Sequence, residues 1–267
     1  MISRLKHIAV VSQNQFLAGK FYELLFGLRP SGSGRGVNAA VLSDGYVGFN
    51  INGRRPGGIA RLDHFGFEVS DVAELFARVR ELYPHVHFLQ RLDIRPFAGL
   101  TMHDPAGNYF DIAKADLKDV YADTSLAEAE YFARFHHLVL RALDPVGLCR
   151  FYKDVFELQE LPKPADDPNH YLSDGRVTLI IAPWHIEDYV GGNVELPGLD
   201  HLGFAVQSLA ELEDRLRYMV RRSQYLRPME LAGGEEEEAR RKLLQTCRFG
   251  QRPLCDPEGV LLDVLEA

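Results

Sequence analysis

The chain has 267 residues, of which 46% are hydrophobic and 25% charged, a composition typical of a folded globular protein. A formal net charge of -8 argues against a polyanionic partner, because nucleic-acid binding usually requires a basic excess. No apolar run approaches the roughly 20 residues that span a bilayer, and the N-terminal residues lack the apolar stretch of a signal peptide. The three cysteines show no paired spacing. We therefore expect a cytoplasmic protein with neither a nucleic-acid nor a membrane partner.

Four short segments of the chain repeat one pattern, in which a histidine is followed by alternating strand-like residues. The four histidines are His7, His64, His137 and His201. A histidine at the same place in every copy is hard to assign to packing alone, and imidazole is a common neutral metal ligand. The repeats therefore predict four modules whose first strands carry candidate metal ligands.

The first and third modules share one order of sequence features, and corresponding residues such as His7 and His137 are 130 positions apart. Each places an amphipathic helix after the histidine strand and then an Asp-Gly hairpin turn, at residues 44–45 and 174–175. The second and fourth modules place a capped helix after that strand and close with an Asp-Pro-x-Gly turn and a strand. Each module thus reads as strand, helix, then two or three strands.

The modules predict a division of the chain into two halves. We expect an N-terminal pair of modules over residues 1–115, a linker over 116–133 and a C-terminal pair over 134–267. The fourth module carries a charged insert, residues 233–242, which we expect to be a solvated helix or loop.

A tandem βαβββ module with a histidine on the first strand and a carboxylate on the last resembles the vicinal oxygen chelate superfamily. That group contains glyoxalase I, the bleomycin resistance proteins and the type I extradiol dioxygenases. The resemblance covers nearly the whole chain and implies an α+β fold, in which four βαβββ modules pair into two cupped mixed sheets with helices on the outside. Four modules in one chain is the layout of the extradiol dioxygenases, and the resemblance leaves a homo-oligomer open.

The resemblance also carries the superfamily's metal ligands onto this sequence, from the first strands and from the last strands of the second and fourth modules. They are His7, His64, Asp111, His137, His201 and Asp263. Two histidines and one carboxylate leave coordination positions open for a chelating substrate and O₂, which suits Fe(II) among divalent metals. Mn, Zn and Ni remain alternatives. Aspartate stands where the superfamily usually has the longer glutamate.

The sequence leaves two module pairings open. Pairing one with two and three with four groups His7 and His64 with Asp111, whereas pairing one with four groups His7 with His201 and Asp263. Both arrangements supply two histidines and one aspartate to each cup. The short connection over residues 52–60 favours the sequential pairing.

The acid–base residues of the extradiol enzymes are not matched, since Thr101 and Pro253 occupy their tyrosine position. His103 has the same strand parity as Thr101 and offers an imidazole able to transfer protons, so we predict it as the catalytic residue. Extradiol relatives keep their metal in the C-terminal half. His103 nevertheless leads us to expect that the cup with Asp111 is the catalytic one.

The resulting functional hypothesis is a metal-dependent enzyme, an Fe(II) ring-cleaving dioxygenase of extradiol type. Its expected substrates are a catechol- or hydroquinone-like small molecule with vicinal oxygens, and O₂. Two alternatives remain: a glyoxalase- or epimerase-like isomerase or lyase, and a non-catalytic small-molecule binding protein of the bleomycin-resistance type.

Overall fold

The structure is a computed structural model, which describes residues 1–31, 39–90, 99–115, 131–192, 196–231 and 234–267. The elements of the N-terminal half are, in chain order, β1 (Ser3–Ser12), α1 (Gln15–Phe26), β2 (Arg29–Pro30), β3 (Ala39–Ser43), β4 (Gly48–Gly53), β5 (Arg61–Val69), α2 (Val72–Leu82), β6 (Phe88–Gln90), β7 (Leu100–His103) and β8 (Tyr109–Lys114).

The C-terminal half follows the same order with additional helices, but its described residues include no counterpart of β6. Its elements are β9 (Ala133–Ala142), α3 (Pro145–Phe156), β10 (Gln159–Glu160), β11 (His170–Ser173), β12 (Thr178–Pro183), α4 (Ile186–Gly192), β13 (Gly198–Val206), α5 (Leu209–Arg222), a 3₁₀ turn (Gln224–Leu226), α6 (Glu235–Gln245), β14 (Arg252–Cys255) and β15 (Leu261–Glu266). No helix among the described residues is long and apolar enough to cross a membrane.

The strands form two mixed sheets, and the predicted fold class is confirmed. The first sheet has 8 strands in the order β2-β3-β4-β1-β5-β8-β7-β6, and the second has 7 in the order β10-β11-β12-β9-β13-β15-β14. Strand β1 pairs with β5, and β9 pairs with β13, in both cases antiparallel. Modules therefore pair one with two and three with four. The division at residues 115 and 134 stays a prediction, and residues 116–130 lie outside the described part.

The helix starts follow from capping residues that the sequence shows. Asp71 accepts the N–H of Glu74 at the start of α2, and Ser208 accepts the N–H of Glu211 at the start of α5. The predicted hairpin at residues 44–45 joins β3 to β4, where Gly45 has a φ of +88°. Only glycine adopts such a φ at little cost, so this turn depends on it.

The helices pack on the sheet faces opposite the four histidines, and the two helix-bearing faces share one core. Phe26 of α1 stacks on Phe204 of β13 with ring centroids 4.0 Å apart. Phe67 of β5 stacks on Phe156 of α3 at 4.3 Å. Because helices of each half contact the sheet of the other half, the two halves bury their apolar faces together.

Two buried hydrogen bonds join the halves reciprocally. The Tyr22 hydroxyl of α1 donates to Asp256 Oδ2 at 3.1 Å, and the Tyr152 hydroxyl of α3 donates to Asp104 Oδ2 at 2.8 Å. Asp104 and Asp256 open the Asp-Pro turns that lead into β8 and β15. The N-terminal half therefore fixes the turn before β15, and the C-terminal half fixes the turn before β8.

A second reciprocal pair of bonds fixes the strands that carry the histidines. The Leu5 N–H of β1 donates to Asp174 Oδ2 at 2.7 Å, and the Phe135 N–H of β9 donates to Asp44 Oδ2 at 2.8 Å. Both donors lie two residues before a histidine of the repeat. The hairpin aspartates of one half thus anchor the histidine strand of the other.

Candidate metal centres

Strands β1, β5 and β8 bring three donors of the N-terminal half together. His7 Nε2 lies 3.1 Å from His64 Nε2, and His64 Nε2 lies 3.4 Å from Asp111 Oδ2. All three donor atoms lie within 4.8 Å of one another. We call this face of the eight-stranded sheet the N-terminal cup.

A β-bulge aims His64 into this cup. The register of β1 against β5 shifts between Ala9 and Val10, where Asp63 is the additional residue. The bulge places the Asp63 carboxylate beside the ring of His64, whose Nδ1–H donates to Asp63 Oδ2 at 2.9 Å. This bond fixes the tautomer and leaves Nε2 for the centre of the cup.

Asp111 and Tyr109 are also held in place by neighbouring groups. The Thr101 hydroxyl donates to Asp111 Oδ1 at 2.6 Å, which leaves Asp111 Oδ2 toward His64. The Tyr109 ring lies 5.6 Å from the ring of His64, and its hydroxyl hydrogen-bonds to Asp63. Thr101 therefore shares a face of the sheet with the Asp111 carboxylate.

The electrostatics of the N-terminal cup favour a lone pair on His7. Burial, with a further contribution from His64, lowers the pKa of His7 to about 3, so that this ring is neutral. Burial also lowers the pKa of His64, but hydrogen bonds to Asp111 and Asp63 outweigh it and raise that pKa to about 9. A divalent cation bound to His64 Nε2 would displace the proton that this nitrogen otherwise holds toward Asp111, while the Nδ1–H stays bonded to Asp63.

The spacing of the three donors fits a divalent metal. Ligand atoms about 2.1 Å from a metal lie roughly 3.0 Å apart at right angles and roughly 3.4 Å apart at tetrahedral angles. The observed separations of 3.1 Å and 3.4 Å fall in that range. His64 is partly exposed, whereas His7 and Asp111 are buried, so the cup is accessible on the side of His64.

The C-terminal half gathers four donors, one more than the sequence predicted. His137, His201 and Asp263 are joined by Cys247, and all four donor atoms lie within 4.8 Å of one another. Cys247 Sγ lies 3.7 Å from His137 Nε2, which lies 3.9 Å from Asp263 Oδ2. We call this face of the seven-stranded sheet the C-terminal cup.

A second bulge positions His201. The register of β9 against β13 shifts between Leu199 and Leu202, and His201 Nδ1–H donates to Asp200 Oδ2 at 2.8 Å. Arg141 donates to Asp200 Oδ2 at 3.1 Å and Arg240 to Asp200 Oδ1 at 2.8 Å. Despite burial, these two guanidinium groups hold the pKa of Asp200 well below its usual range. His201 is thus oriented by an anchored carboxylate.

Cys247 and Arg240 are functional candidates that the sequence reasoning missed. Both belong to the segment around α6, whose charged part was predicted to be a solvated helix or loop. The helix is largely exposed, but it directs Arg240 onto Asp200 and delivers Cys247 just beyond its C-terminal end. The buried cysteine was visible in the sequence, but without a paired cysteine or histidine nearby its spacing carried no metal signal.

The two cups differ in the residues that line them. Positions related by the 130-residue register share the face of the donors, since they alternate with core residues along β1, β4, β9 and β12. At three of these pairs a small or polar residue of the N-terminal cup corresponds to an apolar residue of the C-terminal cup: Ala9, Asn50 and Asn52 against Val139, Ile180 and Ala182. Val11 and Gly48 correspond to Arg141 and Thr178. The apolar set packs with Tyr171, Cys247 and Phe249 into a cluster separate from the main core.

His103, the predicted catalytic residue, lies at the end of β7 with both ring nitrogens engaged. Its Nδ1–H donates to the Asp104 carbonyl at 2.8 Å, and its Nε2 accepts the His87 N–H at 3.1 Å. Strand alternation places it on the face of Thr101, toward the rim of the N-terminal cup. Its catalytic role stays a prediction.

A third cluster of donors lies outside both cups. Cys149, Glu160 and His170 have donor atoms within 4.8 Å of one another. His170 Nδ1 lies 3.1 Å from Glu160 Oε1, and Lys153 Nζ lies 2.7 Å from Glu160 Oε2. Because a lysine already neutralises the exposed glutamate, an ion pair accounts for this cluster.

Comparison with solved structures identifies the fold. The Mn(II)-bound glyoxalase from Novosphingobium aromaticivorans is 16% identical with a TM-score of 0.64, over 99% of this chain and 83% of that one. An extradiol ring-cleaving dioxygenase from B. fuscum is 16% identical with a TM-score of 0.65, over 98% and 70%. Homoprotocatechuate 2,3-dioxygenase from Arthrobacter globiformis is 15% identical with a TM-score of 0.66, over 100% and 80%.

These similarities show that the chain has the same fold as this glyoxalase and these extradiol dioxygenases, over 98–100% of its length. No protein-family model matches the sequence, and no curated protein matches it. At 15–16% identity the similarity shows the fold alone. What the two cups do must therefore be argued from their own residues.

Proposed function

We propose that the chain is a metal-dependent enzyme whose reaction takes place in the N-terminal cup. His7, His64 and Asp111 would hold the metal, and Fe(II) is favoured because two imidazoles and one carboxylate leave the remaining positions open. The observation that carries the proposal is the contrast between the cups: the N-terminal donors adjoin Asn50 and Asn52 and include the partly exposed His64, whereas the C-terminal donors are all buried beside an apolar cluster.

The proposed reaction is ring cleavage of a catechol- or hydroquinone-like molecule by O₂, with both oxygen atoms of O₂ entering the product. When bound, Fe(II) supplies Lewis acidity and a route for electrons between the aromatic ring and O₂. Asp63 and Thr101 hold His64 and Asp111 so that their donor atoms stay converged during turnover. Asn50 and Asn52, on the same face, offer amide groups for the polar edge of the substrate.

We further propose that His103 moves a proton at the rim of this cup. Its engaged nitrogens allow a sharp test, because glutamine can keep both hydrogen bonds while losing the ability to titrate. His103→Gln should therefore retain metal content and melting temperature but lose about 10²-fold or more in kcat. Full turnover in His103→Gln would reduce His103 to a structural residue.

The decisive experiment loads anaerobically purified protein with Fe(II) and follows O₂ uptake with a panel of catechols and hydroquinones. Incorporation of labelled O₂ into a ring-opened product identifies the reaction. Asp111→Ala should abolish uptake, and Asp263→Ala, assayed below its own melting temperature, should retain it. Uptake that survives Asp111→Ala but not Asp263→Ala would move the reaction to the C-terminal cup. No uptake with any member of the panel would refute ring cleavage.

One observation favours a second candidate, an isomerase or lyase of the glyoxalase type. Asn50 Oδ1 is buried without a hydrogen-bond partner among the described residues, and it faces the N-terminal cup. An amide oxygen could serve as a fourth ligand, which suits enediolate chemistry better than O₂ activation. Under this reading the Mn(II)-loaded protein converts thiol adducts of a 2-oxoaldehyde, and Asn50→Ala abolishes this conversion. Asn52→Ala, on the same strand face, is the control.

The remaining expectations from the sequence stay predictions. They are a cytoplasmic location and the absence of nucleic-acid and membrane partners, with a homo-oligomer left open. The non-catalytic binding protein is disfavoured because three converging donors are more than an aromatic pocket needs.

A further inference from the structure

We propose that the C-terminal cup is a closed metal site of a different kind from the N-terminal cup. His137, His201, Cys247 and Asp263 would surround a Zn²⁺ ion, or another divalent ion that prefers a thiolate, and the ion would stabilise the C-terminal half rather than react with substrate. This proposal is independent of the function proposed for the N-terminal cup.

Three polar side-chain atoms of the C-terminal cup are buried without a hydrogen-bond partner among the described residues. Side chains of His201 and Asp263 are 1% and 0% exposed. Yet His201 Nε2 and both carboxylate oxygens of Asp263 have no hydrogen-bond partner among the described residues. Leaving three such polar atoms unpaired in the interior is costly, because each has given up its water. A cation at the centre of the cluster would satisfy all of them at once.

The number and type of the donors also match a structural zinc site. Structural zinc sites have four protein ligands, whereas catalytic sites keep one position open. A sulfur and an imidazole nitrogen bound to the same Zn²⁺ lie roughly 3.5 Å apart at a tetrahedral angle, from metal–ligand distances of about 2.3 Å and 2.0 Å. Cys247 Sγ and His137 Nε2 are 3.7 Å apart. The 3.9 Å between His137 and Asp263 would close by about half an ångström.

The described residues around the C-terminal cup leave its four buried donors without access for a substrate. A Cβ added at Gly250 would lie 2.0 Å from Asp263 Oδ2, so the backbone covers the carboxylate directly. On the other side the ring of Phe249 lies 5.7 Å from that of His137. The apolar cluster that includes Cys247 lies beside the donors. A closed, dry site of this kind suits a structural ion.

The proposed ligands His201 and His137 are also oriented by charged or polar neighbours outside the donor set. Asp200 orients His201 and is itself held by Arg141 and Arg240. Arg141 also donates to the Leu243 carbonyl near the end of α6, which ties the segment bearing Cys247 to the sheet. His136 Nδ1 lies 3.0 Å from His137 Nδ1, so that His137 presents Nε2 to the centre.

The test uses cobalt, because a thiolate bound to Co²⁺ gives a charge-transfer band in the near ultraviolet and the N-terminal donor set contains no sulfur. The apo full-length chain is titrated with Co²⁺ alone. The band should appear in the wild type and in Asp111→Ala, and it should be absent from Cys247→Ala. Cys255→Ala, a buried cysteine of β14 outside the donor set, is the matched control and should keep the band.

Zinc content and thermal unfolding give independent readouts. The wild type should keep one equivalent of zinc that Asp111→Ala also keeps, and its removal by a strong chelator should lower the melting temperature by roughly 5–10 °C. Cys247→Ala should show no such shift. If that variant fails to fold, the cobalt band of the wild type and Asp111→Ala still decides. Absence of the band in both proteins, or a band that persists in Cys247→Ala, would overturn the proposal.

Discussion

Removing the hydroxyl of Tyr22 should destabilise the protein more than removing the hydroxyl of Tyr152, although both bridge the two halves. We consider Tyr22→Phe and Tyr152→Phe, which delete the two reciprocal hydrogen bonds and leave the buried rings in place. Asp256 Oδ2 accepts only the Tyr22 hydroxyl among the described residues, whereas Asp104 Oδ2 also accepts the Asn108 side chain at 2.8 Å. Tyr22→Phe therefore leaves Asp256 Oδ2 without a hydrogen-bond donor among the described residues, whereas Tyr152→Phe leaves Asp104 Oδ2 with Asn108.

The expected magnitudes follow from what each deletion leaves behind. A hydrogen bond to a charged group contributes about 1.5–3 kcal/mol, and an oxygen left unpaired in the interior loses the full amount. Tyr22→Phe should lower the free energy of unfolding by about 2–3 kcal/mol at pH 8. Tyr152→Phe should lower it by about 1 kcal/mol, because Asn108 keeps the Asp104 oxygen partnered.

The cost of Tyr22→Phe should also depend on pH. Burial raises the pKa of Asp256 to about 6, although the turn N–H groups and Tyr22 act against it. A carboxyl with a raised pKa is favoured in its protonated form, so its contribution to stability falls as pH rises from the unfolded value near 4 to about 6. Losing the Tyr22 donor raises the pKa further. The difference between variant and wild type should therefore be about 1 kcal/mol at pH 5 and grow toward pH 8.

Urea unfolding at pH 5 and pH 8, followed by tryptophan fluorescence and circular dichroism together, measures these differences. Taking each variant against the wild type at the same pH cancels the titration of all other groups. Equal losses for Tyr22→Phe and Tyr152→Phe at pH 8, or a Tyr22→Phe cost that does not depend on pH, would refute the reasoning.

Three further predictions address the cups and the Asp-Pro turn. Gly203→Ala should lower the free energy of unfolding by about 1–3 kcal/mol in thermal unfolding, because the new Cβ would lie 2.0 Å from the His137 ring. A change under about 0.5 kcal/mol would contradict that packing. Asp63→Asn should weaken metal binding in the N-terminal cup by about 10–100-fold in a chelator competition, while the thiolate–cobalt band of the C-terminal cup stays unchanged. Asp256→Asn should raise the free energy of unfolding above pH 6 by up to about 3 kcal/mol, and an unchanged pH profile in urea would contradict the assigned pKa.

Much of the fold could be predicted because the repeats report local and long-range structure together. The Asp-Gly and Asp-Pro-x-Gly turns require specific residues at positive φ, and they occur where the sequence predicts them. The strand histidines and the last-strand aspartates then had to converge wherever two modules share a sheet. The sequence favours the sequential pairing of modules without fixing it, since either choice gives two histidines and one aspartate per cup. The strand order distinguishes the two pairings.

Other parts of the site could not be predicted because they depend on contacts between distant segments. Cys247 follows a charged helix with no repeat counterpart, and only the packing of α6 onto Asp200 brings its sulfur to the cup. The bulges at Asp63 and Asp200 place two consecutive side chains on one face, which strict strand alternation forbids. The engagement of His103 by its own turn is likewise a tertiary detail.

The duplicated halves are more than two copies of one site, because each holds the ligand strands of the other. Tyr152 of the C-terminal half fixes the turn that leads into β8, and β8 carries Asp111. Asp174 fixes the start of β1, and β1 carries His7. A metal ion that stiffens the C-terminal half would therefore restrict the positions of two donors in the N-terminal cup without touching them. On this view a closed site in one half serves an open site in the other, since converging donors bind and react only while their strands stay in place.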